Sequence, residues 1–171
     1  YSPSSMTLEK GTLMVTNTPT YSGSAPTSWA INATLPSGLN FDTSTGAISG
    51  TPSVLQTTAK SYTITATNSH GSATTTVSII INDQIASISY TSPVEISNNR
   101  LMSTINPTIS GGAVTSWAID PSLPTGLTFG TTNGSIWGTP ENVTGNATYT
   151  IYANNSGGSA CLLYTSPSPP D

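Results

Sequence analysis

Short runs in which apolar and polar residues alternate recur along the chain. In the clearest run, Tyr62, Ile64 and Ala66 alternate with Thr63 and Thr65, so that every second side chain is apolar. A period of two residues indicates a β-strand with one buried face and one face in water. No stretch keeps the period of an α-helix over three turns. We therefore predict an all-β chain with about seven short strands in each half.

A hairpin is predicted between residues 39–41 and 47–49. The five residues between these runs read Asp-Thr-Ser-Thr-Gly. Asp42 can accept hydrogen bonds from the backbone that follows it, and Gly46 can adopt a positive φ. Pro52 ends the second strand, because proline cannot donate a hydrogen bond to a sheet.

The whole pattern occurs twice, first with an offset of 88 residues and later, after one deletion, of 87. The matched segments are Ser-Trp-Ala-Ile at 28–31 and 116–119, Leu-Pro-x-Gly-Leu at 35–39 and 123–127, Gly-Thr-Pro at 50–52 and 138–140, and Tyr-Thr-Ile at 62–64 and 149–151. A period of this length is too long for a solenoid repeat and suits a small β-sandwich. We predict two tandem domains, at residues 1–83 and 86–160.

The apolar positions shared by the two copies are the predicted cores. In the first copy they are Trp29, Ile31, Leu39, Phe41, Ile48, Tyr62 and Ile64, and in the second Trp117, Ile119, Leu127, Phe129, Ile136, Tyr149 and Ile151.

The combination of these motifs resembles the bacterial putative-immunoglobulin repeat family, whose modules are related to cadherin-like domains. The resemblance covers residues 1 to about 160, with Asn133 and Gly134 replacing the usual Thr-Gly in the second copy. It implies immunoglobulin-like β-sandwiches that act as spacers and adhesion units in large secreted or cell-surface proteins. It carries over no catalytic residue.

The last eleven residues depart from the repeat. After Ala160 the second copy should resemble residues 74–83, but it reads Cys-Leu-Leu-Tyr-Thr-Ser-Pro-Ser-Pro-Pro-Asp. This segment resembles a translated sequencing-adapter sequence, and the other interpretation is a natural proline-rich linker. On the first interpretation residues 161–171 are a non-native tail. The second sandwich is then truncated, lacks its native last strand and exposes an edge beside residues 149–153.

Composition narrows the possible partners. Charged residues are 6% of the 171 and the formal net charge is −4. Lys10, Lys60 and Arg100 are the only strongly basic residues and are scattered, so we expect no nucleic-acid partner. No apolar run approaches the roughly 20 residues of a membrane-spanning helix, so we expect no membrane span.

No arrangement of catalytic residues is recognisable. His70 is the single histidine, and Gly157 stands at its position in the second copy, which indicates a surface turn rather than a general base. The carboxylates weighed as a catalytic pair are Glu9, Glu95, Glu141, Asp42, Asp83 and Asp120. None of the glutamates has an acidic partner in sequence, as glycoside hydrolysis would require. We expect no enzymatic activity.

The family resemblance raises the question of calcium binding, because cadherin-like modules bind calcium between domains. Asn82 and Asp83 close the first copy as an Asn-Asp pair does in cadherin linkers. Calcium requires six to eight oxygen ligands, and only Glu95 or Asp120 could add carboxylates near the junction. We expect no cofactor other than a weak calcium site at Asn82 and Asp83, the alternative being an ordinary strand end.

Two aromatic residues of the second copy stand at positions that are polar in the first. Strand parity places Ile136 inward and therefore Trp137 outward, where the first copy has Ser49. Tyr152 faces outward by the same argument, at the position of Thr65. Each could pack against a loop, a neighbouring module or the tail, or could contact a ligand or partner.

Two functions follow from these observations. The first is a non-catalytic structural or adhesion spacer of a larger secreted or cell-surface microbial protein, with the neighbouring modules of the same chain as partners. The alternative is a module that binds surface glycans or proteins, as an accessory to a secreted hydrolase for example. Both place the chain outside the cell or on its surface.

Overall fold

The computed structural model describes residues 1–91, 99–141 and 147–166, and every regular element in these ranges is a β-strand. This confirms the predicted all-β class. The strands are β1 (Ser5–Glu9), β2 (Ser28–Ile31), β3 (Leu39–Phe41), β4 (Ile48–Gly50), β5 (Gln56–Asn68), β6 (Gly71–Asn82), β7 (Ser87–Ser89), β8 (Met102–Ile105), β9 (Thr108–Ser110), β10 (Ser116–Asp120), β11 (Leu127–Phe129), β12 (Ile136–Gly138), β13 (Ala147–Asn155) and β14 (Gly158–Ser166).

The chain divides into two compact units, Tyr1–Asp83 and Gln84–Asp171, called unit 1 and unit 2 below. Unit 1 contains strands β1 to β6, and the described part of unit 2 contains β7 to β14. Unit 2 therefore begins two residues before the boundary expected from the repeat, and it includes the described part of the tail.

Unit 1 has a four-stranded sheet in the order β1-β6-β5-β2. The long strands β5 and β6 form an antiparallel hairpin, whereas β1 pairs with β6 in parallel. The opposing layer is the β3–β4 hairpin, extended by a single bridge between Asn17 and Ile48. The buried core between these layers consists of Met6, Met14, Trp29, Leu35, Leu39, Ile48, Tyr62, Ile64, Val77, Ile79 and Ile81.

Unit 2 repeats the arrangement. One sheet has the order β10-β13-β14, the other has the order β11-β12-β8, and β7 pairs with β9. Its buried core consists of Ile88, Met102, Ile105, Trp117, Ile136, Tyr149, Ile151 and Ala153. All fourteen predicted core residues lie in the two clusters, although Ile31, Phe41, Ile119, Leu127 and Phe129 are only partly buried.

The expectation of an uncovered edge beside residues 149–153 is wrong. Strand β14 includes the first part of the tail and pairs with β13 from Ala147 to Asn155. Leu162 packs against the core, while Cys161 and Leu163 on either side of it are exposed. The last strand forms because a sheet requires backbone donors and acceptors and a suitable alternation, not a particular sequence. The prolines at 167, 169 and 170 lie outside the described residues.

The repeated Gly residues are places where two backbone segments touch. The N–H of Thr51 donates to the carbonyl of Gly38 at 2.9 Å, and a Cβ at Gly50 would lie 2.2 Å from that oxygen. In unit 2 the N–H of Thr139 donates to Gly126 at the same distance. No side chain fits between these segments, which explains the motifs Leu-Pro-x-Gly-Leu and Gly-Thr-Pro physically.

Each core tryptophan packs against a loop glycine. A Cβ at Gly46 would lie 2.6 Å from the indole of Trp29, and a Cβ at Gly134 would lie 2.7 Å from that of Trp117. The carbonyl of Gly46 accepts a hydrogen bond from the hydroxyl of Tyr1. In the same way, Tyr90 donates to Gly134 at 2.6 Å. Burial raises the pKa of Tyr1 to about 12 and that of Tyr90 further.

The predicted turn between β3 and β4 is confirmed. Asp42 Oδ1 accepts hydrogen bonds from the hydroxyl of Ser44 at 2.6 Å, from its N–H at 2.7 Å and from the N–H of Thr45 at 3.2 Å. Gly46 has φ +75°. The hydroxyl of Ser44 is the largest cause that lowers the pKa of Asp42 to about 2.

The substitution Gly50→Ala tests the backbone contact between Gly50 and Gly38. Its matched control is Gly71→Ala, because Gly71 has a similar φ, +136° against +123°, but a Cβ there meets nothing within 4 Å in the described residues. Backbone strain alone costs on the order of 1–3 kcal/mol, so we expect Gly71→Ala to stay in that range. Gly50→Ala adds a collision with a carbonyl and is expected to cost about 2 kcal/mol more.

Thermal unfolding measures both variants. We expect the transition of unit 1 to move and that of unit 2 to stay in place. Equal effects of the two substitutions would contradict the contact, and a joint shift of both units would contradict their independence.

Candidate contact surface

Trp137 is the exposed tryptophan of the chain. It lies in β12, which is paired on one side with β11 and on the other with β8. Its side chain is 39% exposed, against 7% for Trp29 and 5% for Trp117, and its neighbour Ile136 is buried. The predicted outward orientation of Trp137 is therefore confirmed.

The indole of Trp137 rests on a glycine. A Cβ at Gly130 would lie 3.2 Å from Cζ3 of Trp137. In unit 1 the equivalent positions hold Asp42 and Ser49. The larger residue at the second position, Trp137, is thus accompanied by a smaller residue at the first, Gly130. Gly130 lets the loop pass close to one edge of the indole, and 39% of the tryptophan surface remains exposed.

Unit 2 lacks the aspartate that begins the equivalent loop of unit 1, because Gly130 stands at the position of Asp42. Asn133 Oδ1 accepts a hydrogen bond from the N–H of Ser135 at 3.0 Å, and a Cβ at Gly130 would lie 2.1 Å from the same oxygen. In unit 1 the fourth loop residue makes the equivalent contact, since Thr45 Oγ1 accepts a hydrogen bond from the N–H of Ala47 at 3.3 Å, and Asp42 at the first position adds its own. Unit 2 keeps the contact of the fourth residue and has Gly130 in place of the aspartate.

Tyr152 does not lie beside Trp137. It belongs to β13, where it is paired with Ala118 of β10 and with Cys161 of β14, and it is half-buried. Its strand is part of the other sheet of unit 2, and its neighbours Ile151 and Ala153 are buried. Because both aromatic residues alternate with core residues, they lie on opposite outer faces of the sandwich. They cannot form one site.

The proposed calcium residues lie at a strand end. Asn82 is the last residue of β6, opposite Glu9 of β1, and its carbonyl accepts a hydrogen bond from the N–H of Lys10 at 2.9 Å. The carboxylate of Glu9 accepts one from Thr12 at 2.9 Å. The described residues contain no group of three or more His, Cys, Asp or Glu that could hold a metal ion. Glu95 lies outside the described residues, and calcium binding at Asn82 and Asp83 stays a prediction.

His70 lies exposed in the turn between β5 and β6. Its N–H donates to Asn68 Oδ1 at 2.8 Å, and in unit 2 the N–H of Gly157 donates to Asn155 Oδ1 at the same distance. The turn therefore depends on the asparagine side chain and on a backbone N–H, which any residue but proline supplies. The imidazole is not required for it.

Sequence reasoning missed a groove in unit 1, which we call the Tyr21 groove. It consists of two adjoining cavities of about 320 and 300 Å³, and Tyr21, Ser22, Ala66 and Ala73 line both of them. Tyr21 is 58% exposed, and its ring centroid lies 6.3 Å from that of Trp29. No local pattern marked Tyr21, because it stands in a stretch without alternation.

No helix in the described ranges has the length and apolar character to span a bilayer.

A protein-family model described as "Putative Ig domain" matches residues 1–82 and 83–166. The "Serine-rich adhesin for platelets" of Staphylococcus aureus strain MRSA252 is 35% identical over 159 residues, which is 89% of this chain and 10% of the adhesin. The same adhesin of strain USA300 is 34% identical, and the match covers 6% of it. The chain thus spans a tenth or less of these relatives.

A solved structure has the same fold at lower sequence identity. It is that of extracellular domains 3–5 of Drosophila OTK, with a TM-score of 0.54 and 21% identity. The alignment covers 95% of this chain and 58% of that one.

The substitution Trp137→Ser, which restores the residue of the first copy, tests the exposure of this indole. We expect it to remove most of the tryptophan emission that acrylamide quenches, since Trp29 and Trp117 are buried. We expect a change of less than about 1 kcal/mol in the unfolding free energy, whereas Trp117→Ala should cost roughly 3–5 kcal/mol. Unchanged quenching in Trp137→Ser would contradict the exposed placement.

Proposed function

The chain belongs to the Putative Ig domain family, with one copy in each half, and on that premise we propose that it is a non-catalytic spacer in a longer adhesion protein. Its two modules connect other parts of that protein and hold them apart. The proposal rests chiefly on the parallel pairing of the first and last strands of unit 1.

The parallel pairing makes the chain enter and leave unit 1 at opposite ends. Five consecutive residues of β1 are in register with five of β6, from Ser5 opposite Ser78 to Glu9 opposite Asn82. Strand β1 is the first element of the unit and β6 is the last. A module whose termini lie at opposite ends adds length to an array, which is what a spacer must do.

The same pairing opposes force along the chain. A pull on the two ends draws β1 and β6 past each other, so the evenly spaced hydrogen bonds between them are loaded together and not one after another. Two backbone contacts flank the ladder: the N–H of Ser78 donates to the carbonyl of Ser4 at 2.8 Å, and the N–H of Lys10 to that of Asn82 at 2.9 Å. The equivalent first-strand residues of unit 2 lie outside the described ranges.

The relatives support a location outside the cell or on its surface, because they are adhesins and share about a third of their aligned residues with this chain. A surface rich in hydroxyl groups and poor in charge suits a spacer, since charge is only 6% of the composition. The partners that the proposal implies are the neighbouring modules of the same protein.

The substitution Lys10→Pro tests the mechanical role of the β1–β6 pairing. Proline removes the N–H that donates to Asn82, whereas the control Lys10→Ala keeps it. In single-molecule force spectroscopy on the whole chain, unit 1 should release roughly 27–30 nm of chain when it unfolds. We expect a lower unfolding force for Lys10→Pro and an unchanged force for Lys10→Ala. Equal forces for the two variants would contradict the proposal.

A contact site at Trp137 is the second candidate function. The observation that favours it is the exposed indole, which is absent from the first copy and rests on the loop glycine at 130. Exposed tryptophans are frequent in binding surfaces because the large rigid ring stacks on a partner at little entropic cost. The ligand class that fits an exposed indole on a chain rich in Ser and Thr and poor in charge is a glycan.

A titration with a panel of polysaccharides tests this candidate. We expect Trp137→Ser to weaken binding at least roughly tenfold. The matched control is Tyr152→Thr, which restores the first-copy residue on the opposite face and should leave the affinity unchanged. An unaltered affinity in Trp137→Ser, or no binding by the unmodified chain, would exclude the glycan site.

A further inference from the structure

The two units can be compared residue by residue at their beginnings. Tyr1 and Tyr90 are equivalent, because each donates its hydroxyl to the carbonyl of the glycine that packs on the core tryptophan, Gly46 or Gly134. The residues directly before Tyr90 therefore show what a segment directly before Tyr1 would do.

In unit 2 the segment Gln84–Ser89 is part of the fold. Its residues 87–89 form β7, which pairs with β9. Ala86 and Ile88 are buried, at 5% and 8% exposure. Asn155 Nδ2 donates to the carbonyl of Gln84 at 2.6 Å.

Ile85 covers two glycines of unit 2. A Cβ at Gly158 would lie 3.3 Å from Ile85 Cδ1, and a Cβ at Gly111 would lie 2.7 Å from the carbonyl oxygen of Ile85. In unit 1 the equivalent glycines are Gly71 and Gly23, where an added Cβ meets nothing within 4 Å in the described residues.

Other equivalent positions in unit 1 are also uncovered. Ala66 is half-buried where Ala153 is completely buried, and Ala73 is exposed where Ala160 is half-buried. Residues 20–22 correspond to β9, but no strand of the described chain pairs with them. Asn68, the equivalent of Asn155, donates instead to the carbonyl of Ser24 at 3.1 Å.

The uncovered surface is the Tyr21 groove. Its two cavities extend from Tyr1 and residues 19–22 along the end of the β5–β6 hairpin to His70 and Gly71. No Asp, Glu, Lys or Arg lines it, and the segment Gln84–Ser89 is likewise uncharged. The groove therefore has the position and neutrality that suit such a segment.

We propose that the Tyr21 groove is an acceptor site for an extended strand that leads directly into Tyr1. The occupant resembles Gln84–Ser89: it is neutral, with a β-branched residue two positions before the tyrosine and a small residue four positions before it. By the register of β7 on β9, the residue directly before Tyr1 pairs with Thr20. The residue two positions before Tyr1 pairs with Tyr21, and the residue three positions before it pairs with Ser22. Each module is thus completed by the segment that links it to the one before, which goes beyond the spacer function proposed above.

The test adds Gln-Ile-Ala-Ser-Ile-Ser, the sequence of residues 84–89, directly before Tyr1 of the full chain. Its control carries the same addition with Ile88→Asp in the added copy, so that length and backbone are equal and only the buried side chain differs. We expect the first addition to raise the melting temperature of unit 1 by about 4–8 °C and the control to raise it much less. Unit 2 serves as the internal reference.

Hydrogen exchange measures the pairing itself. We expect the backbone amides of Thr20, Tyr21 and Ser22 to exchange at least roughly tenfold more slowly with the added strand than with its control. In the unmodified chain Ile88→Asp should lower the melting temperature of unit 2 and leave that of unit 1 in place.

Three outcomes would overturn the proposal. The melting temperature and the exchange of residues 20–22 could be the same with and without the added strand. The control addition could have the full effect, which would mean that any extension suffices. Finally, a polysaccharide could quench the fluorescence of Trp29 to the same extent with and without the added strand, which would make the groove a glycan site. None of these results bears on the force experiment with Lys10→Pro, so the spacer function is tested separately.

Discussion

The fold of each unit depends on a tryptophan indole that packs against the backbone of a loop glycine. In each unit the tryptophan belongs to one sheet and the glycine to the turn of the opposing hairpin, so this contact joins the two layers of that unit. The glycine carbonyl also receives the hydroxyl of Tyr1 or Tyr90, which attaches the beginning of the unit to the same point. A chain with so few charges has few ion pairs to use, and it holds its layers by apolar packing and backbone hydrogen bonds instead.

The sequence predicted the features that depend on local alternation. The period of two residues placed Trp137 outward and Ile136 inward, and all fourteen core residues predicted from the internal repeat lie in the two apolar clusters. It did not predict that Tyr152 and Trp137 lie on different sheets, because the sheet to which a strand belongs is decided by long-range pairing. The linked change at positions 130 and 137 was readable from the alignment of the two copies, but only if both positions were compared as a pair.

Two features escaped sequence reasoning for a different reason. The covered edge of β13 was not expected because residues 161–166 do not resemble the first copy, yet their backbone and alternation suffice for pairing with β13. The Tyr21 groove was missed because Tyr21 stands in a stretch without alternation, and a groove lined by residues from separate strands and loops leaves no pattern in the sequence. In both cases the information lies in backbone geometry and not in the identity of side chains.

The parallel pairing of β1 with β6 also constrains the order of folding. Ser5 and Ser78 are partners although more than seventy residues separate them in the chain. Pairings of such high contact order close large loops, form late and slow the folding of the whole domain. The β5–β6 hairpin is local and can form early, whereas β1 must wait as an unpaired strand until Asn82 has left the ribosome. In an array of similar modules that delay exposes β1 to the last strand of another copy, so the pairing proposed above to resist force is also a point at which neighbouring copies can exchange strands during synthesis.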